Sequence, residues 1–302
     1  MDKVPKNKIL IFGAGVIGSL LAIQFAKKGH EVYLYARRSR LKELSEKGLV
    51  YENNGQNYRE NVHILNSIHA HQIFDYIFVA VRSKQMEDAL EQLKHNKSSN
   101  IVILANHFGN YNKFEKIVGD NRIIPAFPGA SGALKEGILK FVITPKMIQK
   151  TMIGEINGIK TERIKSLYYL LKSSGLPCSI SKNMEGWQKT HIVLLAGLRS
   201  GIYFDGGDNY STSKNIQALK LISTNLKKSF KILESNNLLV ISPLIRICIC
   251  VPSPIFLQIL RKLLDSNFAA KAIYSKRQES REETLRLENE FLNWAKIHNL
   301  NS

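Results

Sequence analysis

The chain has 302 residues, of which 44% are hydrophobic and 23% are charged, and this composition is typical of a soluble globular protein with two domains. Its formal net charge of +18 favours phosphorylated and acidic ligands. The basic residues occur along both halves of the chain, which excludes a dedicated nucleic-acid-binding arm, so no specific nucleic-acid partner is expected.

The cysteines point to a reducing compartment. There are three of them, at positions 178, 248 and 250, which is too few for a disulfide framework. Cys248 and Cys250 are separated by one residue and have no histidine pattern nearby, so no metal site is expected. An apolar strand begins as early as Lys8, which leaves no room for a cleavable signal peptide. These observations predict a cytoplasmic protein.

The stretch from Lys8 to Arg38 has the pattern of a strand–helix–strand unit. An apolar run at Lys8–Phe12 is typical of a buried parallel strand. A helical pattern from Ser19 to Lys28 and a second apolar strand at Val32–Tyr35 complete the unit. Between the first strand and the helix lies the motif G-x-G-x-x-G, formed by Gly13, Ala14, Gly15, Val16, Ile17 and Gly18.

The position of this glycine motif predicts a dinucleotide-binding loop. Between a strand and a helix, Gly13 permits a tight turn, Gly15 lets the backbone approach a pyrophosphate, and Gly18 lets helix and strand pack closely. The N-terminus of the helix directs N–H groups and the positive end of its dipole towards the phosphates. A glycine-rich turn that binds no ligand is the alternative interpretation.

The residue type at the end of the second strand distinguishes NAD from NADP. An NAD site usually has an acidic residue there, about 20 residues after the motif. In this chain Ala36 and Arg37 occupy that position, and the next carboxylate is Glu43. A guanidinium binds a 2′-phosphate through paired charged hydrogen bonds, whereas a carboxylate repels it. We therefore predict NADPH/NADP as the cofactor, bound through Arg37, with a solvated basic turn as the alternative.

Strands and helices continue to alternate through the first half of the chain. The expected elements are helices at Leu41–Lys47 and Met86–Leu93, strands at Tyr76–Val81 and Ile101–Ala105, and a polar hairpin between Leu49 and Ile64. This alternation is typical of a parallel, doubly wound sheet, whose ligands bind at the carboxyl ends of the strands. Arg82 and Asn106 come directly after two of these strands, so the topology places both on the cofactor side.

The rest of the chain predicts a second, helical domain. Further expected elements are strands at Ile123–Phe127, Gly137–Thr144 and Met152–Ile156 that extend the sheet, a turn at Pro128–Gly132, a helix at Glu162–Lys172 and a short strand at Cys178–Ser181. From about Asn183 onwards only helical patterns occur. The predicted fold is therefore α/β: a Rossmann-type doubly wound parallel sheet in residues 1–182, followed by an all-helical C-terminal domain in residues 183–302.

The apolar segment from Ile241 to Leu264 has two interpretations. Arg246 and three prolines interrupt it, so no uncharged stretch is long enough to span a membrane. The part from Pro254 onwards, which carries Arg261 and Lys262, has the composition of a helix that lies on a membrane surface. We favour the other interpretation, a buried helix pair within the second domain.

Several segments together give the chain a resemblance to a known family. They are G-A-G-V-I-G at Gly13–Gly18, A-R at Ala36-Arg37, V-A-V-R-S-K-Q at Val79–Gln85, the segment around Asn106, F-P-G-A-S-G at Phe127–Gly132, I-G-E at Ile153–Glu155 and W-Q-K at Trp187–Lys189. In order and spacing they resemble the ketopantoate reductase (2-dehydropantoate 2-reductase) family. The resemblance implies a reductase that uses NADPH to reduce a 2-keto acid, with its active site in a cleft between a Rossmann domain and a helical domain.

The resemblance also implies roles for individual side chains. The family's catalytic lysine corresponds to Lys189, and its substrate-side asparagine corresponds to Asn106. Hydride delivery to a ketone leaves negative charge on the oxygen, which a protonated lysine stabilises and protonates. Arg82 stands where the family has a cofactor-binding lysine. Without the resemblance, Lys189 would be one more surface lysine.

The family's acidic residue on the last long helix corresponds best to Glu283. It would accept a hydrogen bond from a substrate hydroxyl, and Glu282 is the second choice. Because several glutamates cluster in this part of the sequence, a solvated helical face is an equal alternative.

Three positions depart from the family's substrate site. Val193 and Gly197 replace asparagines that lie four and eight residues after the family's lysine, and Lys271 replaces a serine. The cofactor half is therefore preserved and the substrate half is altered. His191 and Asp208 are candidates for a substrate site of this chain's own, although a packed or capping role suits His191 equally well.

These observations predict NADPH-dependent reduction of a 2-keto acid, with 2-dehydropantoate, the precursor of pantoate in pantothenate biosynthesis, as the first choice. The alternatives are a reductase of a different oxo acid or carbonyl compound, and a non-catalytic protein that binds or senses NADP. The oligomeric state stays open, with a homodimer as one option.

Overall fold

The structure is a computed structural model that describes residues 6–105, 111–146, 149–273 and 278–299. It divides into two compact units, Met1–Met184 and Glu185–Ser302, so the division lies two residues after the one expected from the sequence. The described part of the first unit combines strands and helices, and the described part of the second contains helices without strands. The prediction of an α/β fold followed by a helical part is confirmed.

The first unit contains two β-sheets. Its strands are β1 (Lys8–Phe12), β2 (Glu31–Tyr35), β3 (Leu49–Asn53), β4 (Gln56–Glu60), β5 (His63–Leu65), β6 (Tyr76–Val79), β7 (Ile101–Leu104), β8 (Ile123–Phe127), β9 (Ala130–Lys135), β10 (Ile138–Ile143), β11 (Thr151–Ile153) and β12 (Cys178–Ile180). Eight strands form the main sheet in the order β12-β11-β8-β7-β6-β1-β2-β5. The pairings from β8 to β5 are parallel, and β11 is antiparallel to β8.

Helices cover both faces of the main sheet. They are α1 (Val16–Ala26), α2 (Arg38–Lys47), α3 (Met86–Leu93), α4 (Asn112–Val118) and α5 (Glu162–Ser173). Side chains of α1 and α5 share one hydrophobic core with one face of the sheet, and those of α3 and α4 share a second core with the other face. This double coverage explains why β1, β6 and β7 are continuous apolar runs without alternation.

The second sheet differs from the sequence-based expectation. The segment predicted as Gly137–Thr144 forms β10, but it does not extend the main sheet. Instead it pairs with β9 and β3 in a four-stranded sheet of order β4-β3-β10-β9. Residues 130–132, expected in a turn, belong to β9. The physical reason is a two-residue hairpin at Glu136 and Gly137, both with positive φ (53° and 83°), which directs β10 back along β9.

The second unit is a group of seven helices within its described residues. These are α6 (Met184–Asp205), α7 (Asn209–Lys214), α8 (Ile216–Ser235), α9 (Pro243–Cys250), α10 (Ser253–Leu264), α11 (Asn267–Ala272) and α12 (Gln278–Asn299). Polar side chains cap the N-termini of α7, α8, α9 and α11. The Asn215 side chain, for example, accepts hydrogen bonds from the first amides of α8.

Of the two helices at 241–264 that were expected to form a buried pair, only α10 is buried as expected. α10 buries Phe256, Leu260 and Leu264. In contrast, none of the α9 residues whose burial is described is fully buried, and Ile247 is 62% exposed. Among the described residues, no helix combines the length and apolar character needed to cross a membrane.

A buried ion pair anchors the end of β11 to α5, and it provides a test of the first unit. Glu155 is 4% exposed, and Arg163 binds it in a bidentate manner at 2.7 and 2.5 Å. We expect Glu155→Gln to lower the free energy of unfolding by about 1–3 kcal/mol, because it removes one charge from a desolvated pair. Urea denaturation measures this. Glu91→Gln, which removes an exposed partner of Lys94, is expected to change it by less than about 0.5 kcal/mol. Equal effects would contradict the prediction.

Candidate functional site

A cavity of about 450 Å³ lies in the first unit at the carboxyl ends of β1, β2 and β6, and we call it the loop pocket. Its position follows from topology, because parallel strands end at the same edge of the sheet. The lining residues are Phe12, Gly13, Ala14, Gly15, Tyr35, Ala36, Arg37, Ser39, Arg40, Glu43, Ala80, Val81, Arg82, Gln85 and Leu134.

The glycines of the motif have different surroundings. Gly13 has a φ of +112°, and a Cβ there would lie 2.7 Å from the carbonyl oxygen of Ala80. A Cβ at Gly18 would collide with the Gly13 carbonyl, so these two positions hold α1 tightly against the end of β1. Gly15, which caps α1, has open space where a side chain would project. A ligand group can therefore approach the start of α1 at Gly15.

Val16 and Ile17 contribute to the first turn of α1 in another way. Both side chains are partly buried and pack against the hydrophobic core on that face of the sheet. Their backbones continue the helix from Gly15, so any contact with a ligand in the loop pocket would come through main-chain groups.

Both of the predicted cofactor-binding arginines lie in the loop pocket with the glycines. Arg37 follows β2 in an extended conformation, and Arg82 follows β6. Both are exposed, whereas Ala36 at the end of β2 is 4% exposed. The structure thus brings Gly13, Ala14, Gly15, Arg37 and Arg82 to one cavity. Asn106 lies outside the described residues, so its position stays a prediction.

Lys189 lies in the second unit and is not a solvated surface lysine. It is on α6 and is 3% exposed. Its ammonium forms an ion pair with Glu185, one turn earlier on the same helix. The Nζ atom also lies 5.4 Å from the centroid of the Trp294 ring on α12. A buried ammonium needs such partners, because an uncompensated charge in the protein interior is very costly.

Glu283 is half-buried and lies near the guanidinium of Arg199. The Arg199 guanidinium donates hydrogen bonds to the Ile273 carbonyl oxygen at 2.9 Å and to Thr284 Oγ at 2.7 Å. Burial lowers the pKa of Arg199, and the proximity of Tyr203 and Glu283 opposes that shift.

The predicted acid, Lys189, and the predicted carboxylate, Glu283, therefore lie at different positions along the axes of α6 and α12. Arg199 follows Lys189 by ten residues, which corresponds to about 15 Å of helix. Another carboxyl group, Glu288, lies further along α12 towards Trp294, and burial raises its pKa.

The departures at Val193 and Gly197 have a packing explanation. Val193 is 3% exposed. A Cβ at Gly197 would lie 2.5 Å from Cδ2 of Leu226 on α8, so no larger side chain fits there without rearrangement. The face of α6 on which the family resemblance predicts asparagines is apolar and filled at these positions.

The structure assigns packing and capping roles to the two other candidates. His191 stacks on Trp187, with ring centroids 5.1 Å apart, and burial lowers its pKa to about 4. Asp208 caps α7, because its carboxylate accepts hydrogen bonds from the amides of Tyr210 and Ser211. No group of three histidine, cysteine or acidic residues suited to a metal ion occurs in the part of the chain that is described.

Sequence reasoning gave no individual role to several residues that line the loop pocket. Arg40 is one of them. It is one of three arginines in four residues, so the sequence alone does not distinguish it from its neighbours. Leu134 reaches the pocket from β9 of the second sheet. It was missed because the pairing of that sheet was not predicted.

Comparison with known proteins identifies relatives of this chain. Residues 9–158 match the family described as Ketopantoate reductase PanE/ApbA. A 2-dehydropantoate 2-reductase of Pyrococcus horikoshii is 27% identical over 189 residues, which cover 62% of this chain. The matched part spans 60% of that reductase's own length.

Solved structures show a similar fold over nearly the whole chain. A 2-dehydropantoate 2-reductase of Porphyromonas gingivalis has a TM-score of 0.68 at 14% identity, and the match covers 99% of this chain and 100% of that one. A ternary structure of D-mandelate dehydrogenase with NADH and anilino(oxo)acetate has a TM-score of 0.73 at 18% identity, covering 96% and 95%.

The lowered pKa of His191 predicts a pH dependence of stability. The unfolded chain takes up a proton near pH 6.5 and the folded chain only near pH 4, so stability is lost as the pH falls through this interval. Between pH 7 and 5 we expect a loss of roughly 1–2 kcal/mol in the free energy of unfolding from this residue. Urea titrations at several pH values measure it. His191→Gln should flatten the profile and His95→Gln, at an exposed site, should not; unchanged slopes in both would contradict the assignment.

Proposed function

The chain belongs, through residues 9–158, to the ketopantoate reductase PanE/ApbA family, and we propose that the protein is an oxidoreductase that reduces a 2-keto acid with NADPH. The observation that carries this proposal is the loop pocket. It combines a glycine loop at the start of a helix with three arginines, Arg37, Arg40 and Arg82. Phosphate groups are the ligands that such a combination of backbone amides and guanidinium groups recognises.

The residues of the loop pocket fit a dinucleotide. The open space at Gly15 admits the pyrophosphate, and the amides at the start of α1 would bind it. Arg37, exposed at the end of β2, would bind the 2′-phosphate of NADPH. The nearest pocket carboxylate, Glu43, forms an ion pair with Arg40 at 3.0 Å, which leaves the end of β2 without an acidic group of the kind that NAD sites use. Arg82 would contact a phosphate or the ribose.

The proposed reaction needs an acid, and Lys189 would supply it. When bound, NADPH provides the hydride for the keto carbon of the substrate. Lys189 Nζ would donate a proton to the oxygen of that carbonyl group, so that an alcohol forms. Glu185 holds the ammonium by an ion pair, and the Trp294 ring lies against it.

The roles of the other predicted residues follow from the resemblance. Asn106 would donate a hydrogen bond to the substrate carbonyl group or to the nicotinamide. Glu283 would accept one from a substrate hydroxyl. Its place beside Arg199 supports an equally simple role, the neutralisation of a buried guanidinium.

The leading substrate is 2-dehydropantoate, and a second candidate has a specific observation in its favour. At Val193 and Gly197 the corresponding face of α6 is apolar and packed, so it offers no amide side chain to the polar skeleton of pantoate. The loss of these polar partners favours a 2-keto acid with a less polar substituent, such as an aromatic ring. The D-mandelate dehydrogenase of similar fold is bound to anilino(oxo)acetate, an oxo acid that carries an aromatic ring. A protein that binds NADP without turnover is the third option.

The choice of cofactor can be tested at Arg37. We expect Arg37→Ala to weaken NADPH binding by about 10- to 100-fold, because it removes charged hydrogen bonds to the 2′-phosphate. NADH, which lacks that phosphate, should bind almost as before. Fluorescence titration with both nucleotides measures the two dissociation constants. Arg59→Ala, which removes an arginine outside the loop pocket, is the control. Equal losses for NADPH and NADH would contradict the assignment.

The catalytic assignment can be tested at Lys189. We expect Lys189→Ala to keep the wild-type affinity for NADPH and to lower kcat by about 100-fold or more, because a positioned acid is lost. NADPH oxidation is followed with a panel of 2-keto acids that includes 2-dehydropantoate and a phenyl-substituted member. Lys220→Ala on α8 serves as the control. An unchanged kcat would disprove the acid role, and NADPH binding without turnover on any substrate would favour the non-catalytic option.

A further inference from the structure

Arg40 connects the glycine loop to the second sheet. It lies in the first turn of α2, and its side chain is 15% exposed. Nε donates a hydrogen bond to the Ala14 carbonyl oxygen at 3.1 Å, and Nη2 lies 3.4 Å from Ser19 Oγ on α1. Nη1 donates to the Gly137 carbonyl oxygen in the β9–β10 hairpin at 3.4 Å. The guanidinium of Arg40 thus links α2 to the glycine loop with the start of α1 and to the β9–β10 hairpin, which are far apart in sequence.

The contact with Ala14 controls the direction of a neighbouring amide. A trans peptide group is planar, so the Ala14 carbonyl and the Gly15 N–H point in opposite directions. Ser19 Oγ also donates a hydrogen bond to the Ala14 carbonyl oxygen, at 3.1 Å. Two donors therefore hold this peptide plane, and they direct the Gly15 N–H away from Arg40.

The charge of Arg40 is already compensated. Its Nη1 atom lies 3.0 Å from Glu43 Oε2 in an ion pair. A guanidinium whose charge is paired adds less to the attraction of a phosphate than an exposed one such as Arg37 does. Its geometric effect on the loop is therefore greater than its effect as a positive charge.

We propose that Arg40 is a positioning residue for the cofactor: it orients the Gly15 amide for the pyrophosphate and links the glycine loop to the β9–β10 hairpin. The inference rests on the proposed function, because it presupposes a dinucleotide in the loop pocket. The pyrophosphate is common to NADPH and NADH, so the effect of Arg40 extends to both nucleotides. This separates it from Arg37, whose partner is the 2′-phosphate alone.

The experiment compares two variants of α2 by nucleotide titration. We expect Arg40→Met to weaken the binding of NADPH and of NADH by similar factors of about 10-fold, since one charged hydrogen bond to the loop is lost. Lys42→Met removes a positive charge from the same helix at a side chain that is 80% exposed, and it is the matched control. Ser19→Ala, which removes the second donor to the Ala14 carbonyl, should also weaken the binding of both nucleotides equally, but by a smaller factor.

The possible outcomes are distinguishable. A loss confined to NADPH would make Arg40 a ligand of the 2′-phosphate and overturn the inference. A lowered Tm with unchanged affinity of the folded variant would also overturn it, because that is a purely structural role. If Arg40→Met does not fold, Arg40→Lys and Ser19→Ala provide the same comparison. Failure of the wild-type protein to bind either nucleotide would contradict the proposed function itself.

Discussion

The close packing of α1 against the end of β1 is the constraint on which the first unit depends. Gly18 allows it, because a side chain there would collide with the carbonyl group of Gly13. Gly13 in turn has a positive φ and lies against the backbone at Ala80, the residue that follows β6. The start of a helix is thereby fixed where two central strands end. The open space at Gly15, the neighbouring arginines and the loop pocket all follow from this arrangement.

Local sequence patterns were sufficient to predict the central part of the fold. Continuous apolar runs identified β1, β6 and β7, since strands buried on both faces contain no polar positions. The β3–β4 hairpin and the strand β10 were predicted, but their assembly into a separate sheet was not, because its order depends on a pairing between Val50 and Ile138 that no local pattern encodes. The packing of α9 was misjudged for a similar reason: an apolar composition does not determine which elements cover a helix.

The candidate site was predictable to the extent that it depends on backbone topology. The glycine loop, Arg37 and Arg82 follow directly from strand ends, so their convergence was expected. The surroundings of Lys189 could not be derived in this way. Its partner Trp294 lies more than a hundred residues away in sequence, and its burial depends on how α6 and α12 pack. The position of Glu283 beside Arg199 depends on the same packing and was likewise beyond the reach of a sequence pattern.

The parallel pairing of β3 with β10 has a consequence for how the first unit folds. Its two strands are separated by nearly ninety residues, which include four strands of the main sheet, β5 to β8. Closing so long a loop is entropically costly unless the intervening chain is already compact. We therefore expect the β3–β4 and β9–β10 hairpins to form separately and to join only after the central strands have assembled. During synthesis on the ribosome, the β3–β4 hairpin would therefore remain without its partner strand β10 until much of this unit has been synthesised.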